Sequence, residues 1–360
     1  MLIQLTDYRF DLQKDTIVKM RIAFTYNVRH VKPSLESRQA IDEAEFDEPE
    51  TIQGIAHALK KLGHQVFLVE ADEKAYFKFK CLRSKVDLVF NIAEGISGSD
   101  REAQIPAILE ILKIPYVGSK PLAQALCLNK AKTKEVLKYH KIPTPNFQLF
   151  TSEKEKLSLN LKFPLIAKPN AEGSSKGICQ SSFVKDEKAL KMEMKNIFQN
   201  LNQAVLVEEF LTGREFTVAL IGNHPVETLP LVEINFSGIP KNLAPIDSYE
   251  VKWIIDNPNS AIETVICPAK IEKNLLKKIQ EVCLKTKMVL DVLDWCRIDL
   301  RLNSSGIPNI IEVNQIPGII PDLKENSRFP LAARVAGYNF GEMLQKIIDS
   351  ACDRYGLKNS

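Results

Sequence analysis

Apolar runs of strand character alternate with helix-periodic runs over the first ~125 residues, and no other feature constrains the fold as tightly. Residues 20–26 (MRIAFTY), 64–70 (HQVFLVE) and 86–91 (VDLVFN) read as strands. Pro49 suits the first turn of a helix running to about Leu62 and stopping at Gly63, and the acidic stretch 42–50 complements a helix start. A helical or loop connection separates the second and third strands, and residues 101–112 form an apolar-periodic helix. Strands separated by helices on a short chain segment predict an open, mostly parallel α/β sheet. Residues 1–19 precede it as an N-terminal arm, or Met20 is an alternative start.

The pattern changes at Asn129. A helix over 130–140 ends at KIPTP, and 147–150, 165–168, 205–208 and 215–221 are short β runs with one helix near 186–200, an α+β lobe of antiparallel strands. The last third adds a helix at about 271–290, a strand pair over 295–302 and 309–313 around the turn composition NSSG, and an amphipathic helix near 339–352. The expected division is 20–127, 128–214 and 215–360.

Length and composition, 360 residues with 45% hydrophobic and 26% charged, fit two or three globular domains. The 48 basic and 45 acidic residues are interspersed and leave a net charge of +3, so no strong field favours a nucleic acid. No apolar run approaches the ~20 residues that span a bilayer, and the first twenty residues do not read as a signal peptide. Seven cysteines, odd in number and without metal-ligand spacing, read as reduced core thiols of a cytoplasmic protein.

Three segments carry chemistry. Residues 163–169 (FPLIAKP) deliver Lys168 at a strand end, followed by the small-residue loop 172–177 (EGSSKG). Backbone N–H groups of such a loop approach phosphate oxygens while the lysine supplies fixed charge; a hairpin turn with a snorkelling lysine is equally compatible, and the loop does not match GxxxxGK[ST]. Arg297-x-Asp299 and Glu312-x-Asn314 each put two polar groups on one strand face, and the four converge if the strands pair. Two carboxylates with an Asn oxygen suit Mg²⁺ bridged by phosphates, with Arg297 able to neutralise charge on a reacting oxygen. The buried apolar residues on both strands argue against a merely solvated face. Residues 205–218 (VLVEEFLTGREFTV) lead apolar residues into an acidic pair, a turn and another strand, which fits either an adenine-reading backbone or a plain β-turn.

AKPNAEGSSKG, VEEFLTGREFTV, CRIDLRL, EVNQIPG and IPYVGS…LNKAKTK occur in the order and approximate spacing of the D-alanine–D-alanine ligase family, over roughly residues 85–350. The chain thus resembles that branch of the ATP-grasp ligases. The resemblance implies a three-lobed ATP-grasp fold, α/β and α+β, with an N-terminal open parallel α/β sheet. ATP would lie between the central and C-terminal lobes. It implies Lys130 and Lys168 on the nucleotide phosphates, Ser174 and Ser175 in the closing loop, Glu208, Glu209, Phe210 and Leu211 at the adenine hinge, and Glu215 near the ribose. Asp299, Glu312 and Asn314 would hold two Mg²⁺ ions, with Mn²⁺ as an alternative, and Arg297, Ser174 and Lys252 would act in catalysis. In the family's chemistry a carboxylate takes the terminal phosphoryl group of ATP, an amine attacks the acyl phosphate through a tetrahedral intermediate, and phosphate leaves. Small amino-acid-like substrates and a homodimer are implied too.

The family's GGxSxE pattern is absent: Thr25-Tyr26-Asn27-Val28-Arg29-His30 stands there, with Glu43 and Glu45 the nearest carboxylates. Glu94-Gly95 replaces the family's His-Gly, Trp253 follows Tyr249-Glu250-Val251-Lys252 where a tyrosine is usual, and Asp322 falls near a serine that the family sets beside the second substrate's carboxylate. A carboxylate facing a carboxylate is repulsive. D-alanyl-D-alanine formation is the leading expectation; a dipeptide or tailoring ligase with other substrates and an inactive ATP-binding regulator are the rivals.

Overall fold

The computed structural model describes residues 19–31, 39, 43–248, 250–251 and 262–357. The first lobe is a three-stranded parallel sheet, ordered β2-β1-β3, from β1 (Arg21–Tyr26), β2 (Gln65–Glu70) and β3 (Leu88–Asn91). Its crossovers are α1 (Pro49–Lys61) and α2 (Ala75–Leu82), the helical alternative at that connection. Pro49 stands in the first turn of α1, and the chain leaves that helix through Gly63 at φ 95°. A 3-10 turn (Arg101–Ala103) precedes α3 (Gln104–Leu112). Two short helices follow: α4 (Pro121–Leu128), which the sequence reading did not anticipate, and α5 (Lys130–Tyr139), whose Asn129 cap accepts from Lys132 N.

The central lobe is an antiparallel four-stranded sheet in the order β4-β7-β5-β6, from β4 (Phe147–Phe150), β5 (Leu165–Pro169), β6 (Phe183–Val184) and β7 (Val205–Glu209). One helix, α6 (Glu187–Leu201), covers it. β8 (Glu215–Ile221), read in one run with these strands but on the far side of the expected boundary at 215, lies in the third sheet; strand pairing is a long-range property that a local run does not encode. That sheet is ordered β11-β10-β8-β12-β13, with β9 (Glu227–Thr228) beside β8, and comprises also β10 (Val232–Ile234), β11 (Val265–Ile266), β12 (Trp295–Leu302) and β13 (Pro308–Asn314). α7 (Lys273–Val289), α8 (Arg328–Val335) and α9 (Phe340–Tyr355) complete the chain, α8 again unanticipated.

The hydrophobic cores decide how the lobes are joined. Ile22, Phe24, Ile55 and Phe90 of the first lobe share one cluster with Ala219, Trp295, Phe329, Ile347 and Ile348 of the last. The central lobe keeps its own core, including Phe150, Leu165, Val184, Ile197 and Val207. Among the described residues no helix is long and apolar enough to cross a membrane. The expected N-terminal arm, apart from Lys19, lies outside the described residues.

Candidate active site

The β12/β13 hairpin sets four polar side chains in register. Arg297 stands opposite Asn314 and Asp299 opposite Glu312, while Ile298, Leu300, Ile310 and Val313 are buried. A bulge follows Asp299, where Leu300 pairs with Ile310, so Ile311 is the extra residue, and it lines the adjoining cavity. Bulges commonly re-aim side chains beside functional sites. Arg297 forks onto Asp299 through Nε–Oδ1 at 3.1 Å and Nη2–Oδ2 at 2.9 Å. Asn314 Nδ2 donates to Asp299 Oδ2 at 2.9 Å, and the Thr217 hydroxyl also donates to this carboxylate. Burial pushes the Asp299 carboxyl up, but Arg297 more than offsets that and holds it below the usual range. Glu312 Oε1 lies 2.8 Å from Lys130 Nζ.

Among the described residues no cluster of three or more His, Cys, Asp or Glu side chains forms a protein-only metal cage. Two opposed carboxylates and an Asn amide fit a hard cation that draws its remaining ligands from phosphate and water, as Mg²⁺ does. Asp299 is engaged by Arg297, Thr217 and Asn314 and Glu312 Oε1 by Lys130, so a cation bound at those oxygens would compete with these partners.

The central sheet supplies the opposite wall. Lys168, the penultimate residue of β5, pairs in register with Leu206, and its Nζ lies 2.5 Å from Glu208 Oε1. Lys134 Nζ reaches Glu208 Oε2 at 2.9 Å, and the three charged groups are each at most 4% exposed. Burial alone would raise the Glu208 carboxyl; Lys134 and Lys168 bring it down to about 2. Burial lowers Lys134 to about 8 against the pull of Glu208. Glu208 therefore contributes charge balance at the base of the cleft. Lys134 escaped the sequence reading, although it lies one turn beyond Lys130 on the face of α5 that buries Leu137.

After Lys168 the loop turns through Ser174 and Ser175 at φ 48° and 59°, and the Ser175 hydroxyl donates to Asp247 O at 3.1 Å. At Gly177, φ 73°, a Cβ would approach Pro169 Cγ to 2.6 Å and Leu201 Cδ1 to 2.7 Å, so only glycine closes the turn. A cavity of about 100 Å³ is lined by Lys168, Ser174, Ser175, the 208–211 segment, Glu215, Arg297, Asp299, Glu312 and Asn314. These expected residues thus meet at one cleft. Lys130 sits behind it, between Glu312 and the Glu172 carbonyl. Glu209 accepts from the Asn146 amide at 3.1 Å, the Arg301 guanidinium lies 4.6 Å from the Phe210 ring centroid, and Arg301 Nη1 lies 3.1 Å from Glu215 Oε2. Burial, opposed by Arg301, pushes the Glu215 carboxyl up to about 7.

A second cavity of about 400 Å³ shares Ser174, Arg297, Glu312 and Asn314 with the first and continues to the first lobe. Its wall includes Glu45, Asp47, Glu94 and Glu102, whereas its arginines already have partners: Arg29 with Glu48, Arg297 with Asp299 and Arg328 with Asp247. Among the described residues nothing hydrogen-bonds or ion-pairs with the carboxylates of Asp47, Glu94 and Glu102. Burial pushes Asp47 up to about 7 and Glu102 up to about 8, and burial with its acidic neighbours raises Glu94. Of the two carboxylates weighed for the missing glutamate, Glu43 accepts from His30 N at 2.6 Å and does not line the cavity, and Glu45 lines it but is taken up by Arg101 and Gly173 N. Asp322 is exposed, accepts from Lys324 N at 2.9 Å and lines neither cavity. The wall at that end carries Ser327 and Arg328. Tyr249, Lys252 and Trp253 lie outside the described residues.

Comparison with known proteins gives the same family at both levels. The family model for the D-ala D-ala ligase C-terminus matches residues 135–349. The chain is 34% identical over 298 residues to a D-alanine–D-alanine ligase of Maridesulfovibrio salexigens, covering 82% of this chain and 91% of that protein. It is 36% identical over 299 residues to one of Aquifex aeolicus, covering 83% and 93%, and 34% identical over 309 residues to an uncharacterised protein, y4sG, of Sinorhizobium fredii, covering 84% and 87%. The crystal structure of D-alanine–D-alanine ligase from Bacillus anthracis complexed with ATP superposes with a TM-score of 0.69 at 22% identity, covering 94% of this chain and 99% of that one.

Proposed function

Since the chain belongs to the D-alanine–D-alanine ligase family, ADP-forming ATP-grasp ligases that join a carboxylate to an amine, we propose that its two adjoining cavities divide the reaction between ATP and the amino-acid substrates. The observation that carries this reading is the shared wall: Ser174, Arg297, Glu312 and Asn314 face both spaces. A phosphoryl group in the smaller cavity and a carboxylate in the larger would then meet there, which makes the encounter effectively intramolecular.

The roles follow from position. The backbone of 209–211 takes the adenine edge and Glu215 the ribose; Lys168, and Lys130 through Glu312, balance the phosphates; Ser174 and Ser175 close over them. Asp299, Glu312 and Asn314 would hold two Mg²⁺ ions, which when bound spread the charge of the phosphoryl group being transferred. Arg297, which lines both cavities, would meet the oxygen that gains charge in the tetrahedral intermediate. Ser327 and Arg328, in the wall of the larger cavity, would meet the acceptor's carboxylate, the role first expected near Asp322, by exchanging the Gly318 carbonyl and Asp247 for it. The segments 20–127, 128–214 and 215–360 act as the substrate, nucleotide-covering and metal-bearing lobes. A cytoplasmic location is supported by free thiols at Cys127, Cys283 and Cys296; a homodimer is supported by exposed Phe77 and Ile111 and is checked by sedimentation.

D-alanine as both substrates is the leading reading. A different amino-acid pair is favoured by one observation, the carboxyls of Asp47, Glu94 and Glu102, which no described residue hydrogen-bonds or ion-pairs and which suit a substrate richer in positive charge. Phosphate release from ATP in the presence of Mg²⁺ and amino-acid pairs, with mass spectrometry of the product, separates the two. Release that no amino acid stimulates would defeat the ligase reading.

A further inference from the structure

We infer that Arg101 is a positioning residue that ties the phosphate loop to the first lobe through Glu45, so that the nucleotide cleft takes its working shape only with the substrate cavity assembled beside it. The inference rests on the proposed ATP site.

Arg101 opens the 3-10 turn before α3 and is 7% exposed. Its fork is fully used. Nε donates to Glu45 Oε2 at 3.1 Å, Nη2 donates to the same oxygen and to Glu172 Oε2 at 3.1 Å, and Nη1 donates to Ala171 O at 2.9 Å. The second oxygen of Glu45 accepts from Gly173 N. One cation and one carboxylate of the first lobe therefore hold residues 171, 172 and 173, the three that lead into Ser174 and Ser175. Glu172 is also held by Lys176 Nζ at 3.0 Å and by the Gln203 amide, so the network continues through the loop.

The two ends of this network face different spaces. Glu45 and Gly173 line the larger cavity, Glu172 and Ser175 the nucleotide cleft, and Ser174 both. A planar guanidinium reaches two carboxylates and a carbonyl at fixed angles, which an ammonium on a flexible stem does not. Without the fork the loop keeps on the first lobe only the Glu45–Gly173 N contact, and on the other side the Ser175–Asp247 contact. A shift of about 1 Å in backbone N–H groups aimed at phosphate is enough to cost nucleotide affinity.

The test uses the full chain with Arg101→Lys, which keeps the charge and loses the fork, and with Arg101→Met combined with Glu45→Gln, which leaves neither partner of Arg101 an unpaired carboxylate, since Glu172 keeps Lys176. MgADP affinity is measured by calorimetry, and trypsin cleavage after Lys176 is followed beside the thermal midpoint. Both variants should raise the MgADP Kd about tenfold and speed the Lys176 cut about tenfold relative to other sites. Values within twofold of wild type for both readouts, even with a lowered midpoint, would make Arg101 a plain interlobe strut and overturn the inference. If the wild-type chain fails to bind MgADP, the ATP reading fails, and the Lys176 cut alone decides for or against Arg101.

Discussion

Lys168 Nζ and Glu208 Oε1 approach to 2.5 Å at the base of the nucleotide cleft, with both side chains almost wholly out of water. The lysine therefore has a carboxylate partner before any phosphate arrives, and Lys134 holds the other carboxylate oxygen at 2.9 Å. Lys168→Ala should abolish ATP turnover and leave the chain folded. Lys134 still balances Glu208, so the loss is one charged hydrogen bond of about 2 kcal/mol against a total of roughly 5–15 kcal/mol. Phosphate release and a thermal melt check both halves; wild-type turnover in the variant would remove Lys168 from the phosphate site.

The same carboxylate sets an acid limit. The Glu208 carboxyl moves from 4.5 to about 2 on folding, so its stabilisation, on the order of 3 kcal/mol, is complete above pH 4.5 and disappears as pH falls through about 2. Lys134 has the opposite sense: its value falls from 10.5 to about 8, the unfolded chain binds more protons between those limits, and this group's contribution rises with pH there. Urea titrations from pH 2 to 5 should show the acid slope in wild type and a flatter one in Glu208→Gln. Equal slopes would detach Glu208 from acid unfolding.

Glu312 serves two neighbours, Lys130 at 2.8 Å and the Asp299 site across the hairpin. Glu312→Gln keeps the shape and removes the charge, so the Mg²⁺ concentration giving half-maximal activity should rise about tenfold or more. A metal titration superimposable on wild type would count against Glu312 as a ligand.

Asp322 lies outside the cavity, while Ser327 and Arg328 line it. Asp322→Ser should accordingly leave acceptor preference unchanged, and Ser327→Ala should raise the acceptor KM by several-fold, the effect of losing one hydrogen bond of about 1 kcal/mol. Initial rates against acceptor concentration decide it. An improved D-alanine preference in Asp322→Ser would restore the repulsion first expected there.

What the sequence displayed was local. The two-residue period of Arg297/Asp299 and Glu312/Asn314, the strand ending at Lys168 and the small-residue loop after it are legible because each is written in a few adjacent residues. Lys134, Arg101 and Ser327 were overlooked because their significance lies in partners from distant segments: Glu208, the Glu45 and Glu172 pair, and a cavity wall built by three lobes. The bulge at Ile311 is invisible for the same reason, since a bulge exists only relative to the strand beside it. β8 is legible as a strand, but its pairing with β10 and β12 is not, because an apolar run does not name its neighbour.

The hydrophobic cluster joining Ile22 and Phe24 to Trp295, Phe329 and Ile348 fastens the beginning of the described chain to its end. Parting those two lobes would wet a large apolar surface, whereas the central sheet carries a separate core with Phe150, Val184 and Val207 and would keep it dry while swinging. Any gape that admits nucleotide is therefore least costly along the ionic seam around residues 171–177, and because Arg101, Glu45 and Glu172 are buried there, charge reversal within the seam, rather than bulk salt or changes in apolar packing, should govern how readily this jaw opens.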